Sequence, residues 1–314
     1  MIMKEKKIVV VMGGPSSEAA ISRQTGTAVV EALKSKGYAV VGLEFEPRRF
    51  AREMEAMQPA MVFNAMHGAF GEDGRLAAAL ELLGVPYTGS GVLAAALTLD
   101  KAAAKRVLLG AGIPTPRAQV YHAFERQRDL TGEIAAAFSL PVVVKAASQG
   151  SSLGVVVASR EEDLPGALAE AFRYDDEVVV EAFIDGPEIT VAVWGDGVKN
   201  ETFPIIEITT ASGRYDYESK YTKGASCHII PARLAPKTAE KARDIALSTF
   251  NVCGCRGVAR VDMMVSAKGQ PYVIDINTVP GMTETSLVPD AARAMGIEFP
   301  DLCERLLALA GFAL

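Results

Sequence analysis

The stretch Arg260-Val-Asp-Met-Met-Val265, then Ser-Ala-Lys-Gly-Gln, then Pro271-Tyr-Val-Ile-Asp-Ile-Asn277, decides how the rest of the chain is read. Two apolar, β-branched runs flank a short polar segment, which is the pattern of a β-hairpin. A two-residue turn at Lys268-Gly269 sets Asp262 opposite Asp275, Arg260 opposite Asn277 and Pro271 opposite Ser266. Successive side chains of a strand point to opposite faces. Arg260, Asp262, Asp275 and Asn277 therefore share one face, and Val261, Met263, Val265, Ile274 and Ile276 make an apolar face opposite. Two carboxylates facing each other repel and destabilise a bare sheet. A hard divalent cation resolves that repulsion. Mg²⁺ takes one or two carboxylates and fills its other positions with water and substrate phosphates. Asn277 adds a neutral oxygen ligand.

Upstream of the hairpin the chain divides into two further patterns. The first hundred residues alternate strand and helix: strand Lys7–Met12, helix Ser17–Ser35 stopped by Gly37, strand Tyr38–Phe45, strand Ala60–Asn64, helix Arg75–Leu83. That βαβ rhythm predicts a parallel sheet covered by helices. Ligands of such sheets sit beyond the carboxyl ends of the strands, where Gly13-Gly14 and Asn64–Asp73 fall. Helix Lys101–Gly110 ends at the break Ile113-Pro114-Thr115-Pro116. A smaller α+β unit follows, with strands Pro141–Lys145, Val155–Ala158 and Glu177–Ile184, and helix Glu161–Phe172. Strands Glu188–Trp194 and Glu201–Thr210 then lead into a long polar loop, Ala211–Arg233. A structureless loop of that length is usually functional. The domain reading is 1–98, an N-terminal α/β unit; 99–184, a central unit; and 185–314, a C-terminal unit with the hairpin and the loop 211–233.

Composition narrows the chemistry. The chain has 314 residues, 49% of them hydrophobic and 22% charged, with a net charge of −6. It carries no Lys/Arg run of the kind that meets nucleic acid or a membrane surface, so small-molecule partners are expected. The apolar stretch Ile8–Met12 is too short for a signal-peptide core, and no stretch approaches the length of a membrane span. Cys227, Cys253, Cys255 and Cys303 form no CxxC pair and read as reduced thiols in a cytoplasm. There is no GxxxxGK[ST], no GxGxxG and no GxSxG. His67, His122 and His228 have no ligand-like spacing to cysteine, so a zinc site is not expected.

Three segments fit a nucleotide. Gln149-Gly-Ser-Ser-Leu-Gly154 is a small-residue loop whose backbone N–H groups suit phosphate, and Lys145 ends the strand before it. The strand exit Val178–Ile184, followed by Gly186-Pro-Glu188, can offer backbone groups and Glu181 to adenine, and Glu188 to ribose hydroxyls.

Taken together, these segments resemble the D-alanine–D-alanine ligases of the ATP-grasp superfamily. The resemblance rests on GGPSSE at 13–18, HGAFGEDG at 67–74, PYTGSG at 86–91, LDK at 99–101 and VVVKAASQGSSLG at 142–154. It continues through EAFIDGPE at 181–188, YDYESKY at 215–221, RVD at 260–262 and DINTVPGMTETSLVP at 275–289.

The resemblance implies an ATP-grasp fold, combining α/β and α+β units, with ATP between the central and C-terminal units. Lys101 and Lys145 would contact phosphates, with Ser152 in the phosphate loop and Lys220 reaching the γ-phosphate. Glu181, Phe183, Ile184 and Glu188 would hold adenine and ribose. Asp262, Asp275 and Asn277 would carry two Mg²⁺, with Mn²⁺ as a substitute. Glu18 would pair with the ammonium of the first D-alanine, with Ser151 and Tyr221 hydrogen-bonded to Glu18 and His67 nearby. Arg260 and the Gly281 N–H would stabilise the tetrahedral intermediate. Ser286 and Leu287 would bind the carboxylate of the second amino acid. Ala211–Arg233 would close as a lid, and the assembly would be a homodimer.

Departures from the family pattern surround the first-substrate site. Asp275 stands where most relatives carry glutamate, Ala19 replaces a frequent arginine, Ala146 a proline and Gln149 a glutamate. They keep open a paralogous ligase for other amino or hydroxy acids, such as D-serine or D-lactate. Tyr221 favours an amine nucleophile, while His228 keeps a hydroxy acid in play. A nucleotide-binding module without turnover is the third reading, and Lys101, Lys145, Lys220, Arg260 and Asp262 argue against it.

Overall fold

The computed structural model describes residues 4–210, 226–283 and 286–311. Among the described residues three sheets follow one another along the chain. The first holds β1 (Ile8–Met12), β2 (Val40–Glu44) and β3 (Met61–Asn64) in the order β2-β1-β3, all parallel. Ile8, Val9, Val10 and Val11 are all buried, as expected of a parallel strand covered on both faces. Ile8 and Val10 pack with Val29 and Leu33 of α1 (Ala19–Ser35) and with Leu302 and Leu306 of the last helix, Phe299–Ala308. Val9 and Val11 pack with Phe50 and Met54 of α2 (Phe50–Met57) and with Leu76 and Leu80 of α3 (Arg75–Leu82). Two more helices, α4 (Val92–Leu99) and α5 (Lys101–Gly110), follow; Asp100 caps α5 by accepting from the Ala103 N–H.

The second sheet is antiparallel, in the order β4-β7-β5-β6: β4 (Ala118–His122), β5 (Val142–Ala146), β6 (Val155–Ala158) and β7 (Glu177–Ala182). Val142, Val144, Val178 and Val180 face α6 (Leu130–Ala137) and α7 (Leu164–Ala171). Their alternates, Val143, Lys145 and Glu181, point the other way, toward a cavity.

The third sheet is also antiparallel. Its path is β11-β10-β8-β12-β13, with β9 on β8: β8 (Glu188–Gly195), β9 (Asn200–Thr202), β10 (Ile206–Thr210), β11 (Ser226–Ile229), β12 (Gly257–Val265) and β13 (Pro271–Asn277). Helix α8 (Pro236–Val252) buries Ala242, Ala246 and Phe250 against Val191, Val261, Met263 and Val273. Two C-terminal helices, α9 (Leu287–Ala294) and α10 (Phe299–Ala308), return the chain to the first sheet.

Four sequence expectations change. The strand expected over Glu201–Thr210 is two strands, because Pro204 between them has no N–H to give a ladder. The helix expected from Glu161 begins at Leu164, after a single 3₁₀ turn Glu161–Asp163. The expected structureless loop Ala211–Arg233 contains β11, whose Ser226–Ile229 pairs with Glu207–Thr210. In the hairpin, Pro271 lies opposite Val265 rather than Ser266. The turn spans three residues, with the Ser266 N–H donating to Gln270 O and Gly269 at φ +71°. That is a turn closed by a left-handed residue, which glycine adopts without strain. The register then shifts by one between Asp262 and Met263, so Asp262 does face Asp275 and Arg260 does face Asn277. The bulge removes Ile274 from the core face and gives its place to Val273.

Candidate active site

Two adjoining cavities of about 310 Å³ and about 300 Å³ lie where the three sheets converge. The first is polar. Its wall takes Glu18, His67 and Glu72 from the N-terminal unit, Gly150 and Ser151 from the loop after β5, Arg260 and Asn277 from the hairpin, and Gly281, Ser286 and Leu287 beyond it. The second is lined in part by apolar Val143, Val155, Val157, Phe183, Ile184, Met264 and Ile274, and carries Lys145, Ser152, Glu181, Glu188 and Asp262. Lys101, Gln149 and Asp275 line both.

Glu18 is held by two loops. Its N–H donates to Ser16 Oγ at 3.0 Å, and Ser16 Oγ donates to the His67 carbonyl at 2.8 Å. Ser151 Oγ donates to the Glu18 carboxylate. A Cβ at Gly68 would stand 2.5 Å from Glu18 Oε2, and one at Gly150 2.6 Å away. Those two glycines let both loops close on the carboxylate. Ser151 and Ser152 adopt left-handed backbone, φ +50° and +60°, in the loop that reaches it. His67 Nε2 meets Thr25 Oγ1 at 2.9 Å, and His67 Nδ1 lies 3.6 Å from Glu72 Oε1. Burial pushes the Glu72 carboxyl above its ordinary range; His67 opposes the shift and the Glu18 charge adds to it.

On the shared wall, Lys101 Nζ donates to the Gln149 carbonyl at 2.6 Å and lies 3.8 Å from Asp275 Oδ1. Lys145 Nζ pairs with Glu181 and donates to the Ile274 carbonyl at 3.4 Å. The Glu181 carboxylate is only 1% exposed and lies between Lys145 and Lys105. Burial alone would raise its carboxyl, but the two ammoniums hold it below the ordinary range.

On the hairpin, Asp262 accepts from Arg260 Nε and Nη2, both at 2.8 Å, and from Thr190 Oγ1 at 2.6 Å. Asn277 Oδ1 accepts from the Val279 N–H at 3.0 Å. Among the described residues no group of three His, Cys, Asp or Glu surrounds a metal position. Two facing carboxylates and an amide oxygen still match a Mg²⁺ site completed by water and phosphate oxygens.

Ser286 sits at the N-cap of α9 but makes no capping hydrogen bond with its side chain. Its hydroxyl accepts from the Thr283 N–H at 3.0 Å and lies 2.9 Å from Thr283 Oγ1. Ser286 and Leu287 line the polar cavity, so the positive N-terminal end of α9 borders it, where a carboxylate is favoured.

Every expected site residue within the described residues lines one of the two cavities. Lys220, Tyr221 and most of the expected lid lie outside the described residues. His228 lines neither cavity; its Nδ1 meets Asp290 Oδ2 at 2.6 Å. Sequence reasoning did not single out Glu72 or Lys105. Glu72 lies inside the HGAFGEDG motif. Lys105 stands four residues after Lys101 on a helix, where a lysine ordinarily reads as solvated, so no sequence signal singles it out.

Residues 107–308 match the family described as D-ala D-ala ligase C-terminus, and residues 44–90 the D-ala D-ala ligase N-terminus. The chain is 48% identical over 307 residues to a D-alanine–D-alanine ligase of Moorella thermoacetica, covering 97% of this chain and 99% of the relative. The D-alanine–D-alanine ligase of Bacillus anthracis superposes with a TM-score of 0.85 at 34% identity, covering 97% of each chain. Its complex with ATP gives 0.82 at 32%, covering 96% of each. VanG D-Ala:D-Ser ligase of Enterococcus faecalis gives 0.82 at 28%, covering 97% of this chain and 99% of that one.

Fold and site together define an ATP-grasp ligase. The chain belongs to the D-alanine–D-alanine ligase family.

Proposed function

We propose that the chain joins two D-alanines into D-alanyl-D-alanine at the expense of ATP, through an acyl phosphate, as a step toward peptidoglycan. The observation that carries this reading is the shared wall. Lys101, Gln149 and Asp275 line both a polar cavity suited to amino acids and a partly apolar cavity suited to a nucleotide. A phosphate tail from one would therefore meet a carboxylate from the other.

Adenine packs among Val143, Phe183, Ile184 and Met264, with Glu181 and Glu188 at the strand exit toward adenine and ribose. Lys101 and Lys145 hold the phosphates, and the loop around Ser152 covers them. Glu18, buttressed by Ser151 and near His67, takes the ammonium of the first D-alanine. The carboxylate oxygen of that D-alanine attacks the γ-phosphorus, and ADP leaves. Such transfer depends mainly on positioning and charge neutralisation. Ser286 and the α9 N-terminus at Leu287 hold the carboxylate of the second D-alanine. Its amine attacks the acyl carbon, phosphate leaves, and the nitrogen loses a proton. Arg260 and the Gly281 N–H stabilise the oxyanion between those events. Asp262, Asp275 and Asn277 would hold two Mg²⁺, which supply charge neutralisation at the phosphates when bound. Three domains, 1–98, 99–184 and 185–314, and a homodimer belong to the same proposal.

The test is Mg²⁺-dependent phosphate release with D-Ala, L-Ala, D-Ser, and D-lactate plus D-Ala, with products weighed by mass spectrometry. Release with D-Ala alone and the D-Ala–D-Ala mass is the expected result. A product formed only with D-Ser or D-lactate overturns the substrate assignment. No release with any of them, despite ATP binding, overturns the D-alanine assignment and leaves a ligase for another acid or a module without turnover. His228 is engaged by Asp290 rather than by either cavity, so it offers no support for D-lactate.

A further inference from the structure

The two charged ends of Glu181 are taken by two different lysines. Lys145, on β5, pairs with Oε1 and lines the nucleotide cavity. Lys105, on α5, pairs with Oε2 at 2.6 Å and does not line that cavity. Lys105 is itself buried. Its Nζ donates to Thr115 Oγ1 at 2.7 Å and to the Pro116 carbonyl at 3.1 Å, and Thr115 Oγ1 donates to the Val273 carbonyl at 2.9 Å. The ammonium is thus fixed between helix α5, the Pro-rich break and the metal hairpin.

We propose that Lys105 is a positioning residue for nucleotide phosphate: it neutralises Glu181 so that Lys145 keeps its positive charge for the phosphates. The proposal rests on the reading of Lys145 as a phosphate ligand. A buried Lys145–Glu181 pair alone would be neutral and would offer little net attraction to an anion. With Lys105 the trio carries one net positive charge, and the lysine on the cavity wall is the one able to share it with a ligand. In a poorly screened site, that single charge acts at full strength on an incoming phosphate. Lys105 also shares the carboxylate, so the Glu181 charge is divided between two ammoniums rather than held by Lys145 alone. Burial draws the Lys105 ammonium below the ordinary lysine range, and the Glu181 carboxylate opposes that shift.

The experiment measures KM for ATP and the inhibition constant of adenosine, which has no phosphates. Lys105→Met is expected to raise KM for ATP on the order of tenfold or more while adenosine changes by less than about twofold, as for loss of one partner of a buried charge pair. Lys105→Arg keeps the charge and is expected to keep the preference for ATP over adenosine. If Lys105→Met does not fold, the double variant Lys105→Met/Glu181→Gln removes the carboxylate that needs Lys105. Its ATP-over-adenosine preference is expected to return to within about threefold of the parent, because one net positive charge is restored. Equal weakening of both ligands by Lys105→Met, or a double variant whose ATP-over-adenosine preference stays on the order of tenfold or more below the parent's, overturns the proposal. Lys145→Met separates the two readings: if it leaves the ATP-over-adenosine preference unchanged, Lys145 is not a phosphate ligand and the underlying reading fails first.

Discussion

Arg260 grips Asp262 through two parallel hydrogen bonds, Nε to Oδ1 and Nη2 to Oδ2, each 2.8 Å long. Both side chains are nearly buried, at 11% and 6% exposure. The guanidinium therefore balances one hairpin acid before any cation arrives. Asp262→Asn keeps the shape but removes the negative charge that Asp262 presents to Arg260. Unfolding is expected to become easier by roughly 1–3 kcal/mol, the scale of a lost charged hydrogen bond. Turnover is expected to fall on the order of 100-fold, the scale of losing one charge-stabilising group. Denaturant titration and a Mg²⁺ titration of phosphate release check the two parts separately.

Asp275 lies on the wall common to both cavities, with Lys101 Nζ 3.8 Å away. An aspartate there reaches one methylene less far than a glutamate. Asp275→Glu is expected to lower the Mg²⁺ concentration for half-maximal activity several-fold, roughly what one better-placed carboxylate ligand gives. An unchanged Mg²⁺ curve would show that the shorter side chain already reaches the metals.

The four cysteines differ in exposure. Cys227 is exposed, whereas Cys253, Cys255 and Cys303 are buried. Burial pushes the Cys253 thiol up to about 11 and raises Cys255 and Cys303 as well. Thiolate is the reactive form, so brief alkylation of the folded protein at neutral pH is expected to label Cys227 and leave the others. Peptide mass mapping reads this directly, and labelling of Cys303 in the folded protein would contradict the packing of α10.

Asp290 couples β11 to α9, accepting from Arg293 at 2.7 Å and meeting His228 Nδ1 at 2.6 Å. Burial would raise its carboxyl, but His228 and Arg293 hold it below the ordinary aspartate range. A depressed carboxyl contributes stability above its unfolded-state pKa and loses it as pH falls through the folded-state value. Asp290→Asn is therefore expected to be less stable than the parent at neutral pH, by about 1 kcal/mol for the lost charged contact. The gap should close as pH drops through the carboxylate range. Melting curves through the carboxylate range check it; a gap that widens as the carboxyl takes up its proton would reverse the sign of the argument.

The hairpin shows how far sequence carries this protein and where it stops. Period-2 alternation placed Arg260, Asp262, Asp275 and Asn277 together, and they are together. The turn was one residue longer than expected and Ile274 bulged out, and the two offsets cancelled at the acid pair. A bulge has no strong local signature, because it is fixed by neighbouring strands and by the cavity it faces. The parallel N-terminal sheet was legible because Ile8–Val11 is apolar on both faces. Strand β11 was not, because Ser226-Cys-His-Ile229 is polar and short and is held by its partner β10. Lys105 escaped notice because a lysine on a helix ordinarily reads as solvated, and only the fold brings Glu181 to it.

The wall shared by the two cavities has a consequence for divergence. Apart from Lys101, Gln149 and Asp275, the side chains lining the two cavities are different ones. In the proposed reading, mutations at Ser286 or Leu287 therefore retune which acceptor is taken without touching the side chains around Lys145. Changes at Lys101 or Asp275 have no such freedom, since each would alter both halves at once. Selection on a lineage carrying this architecture can swap acceptors cheaply while the nucleotide half stays still.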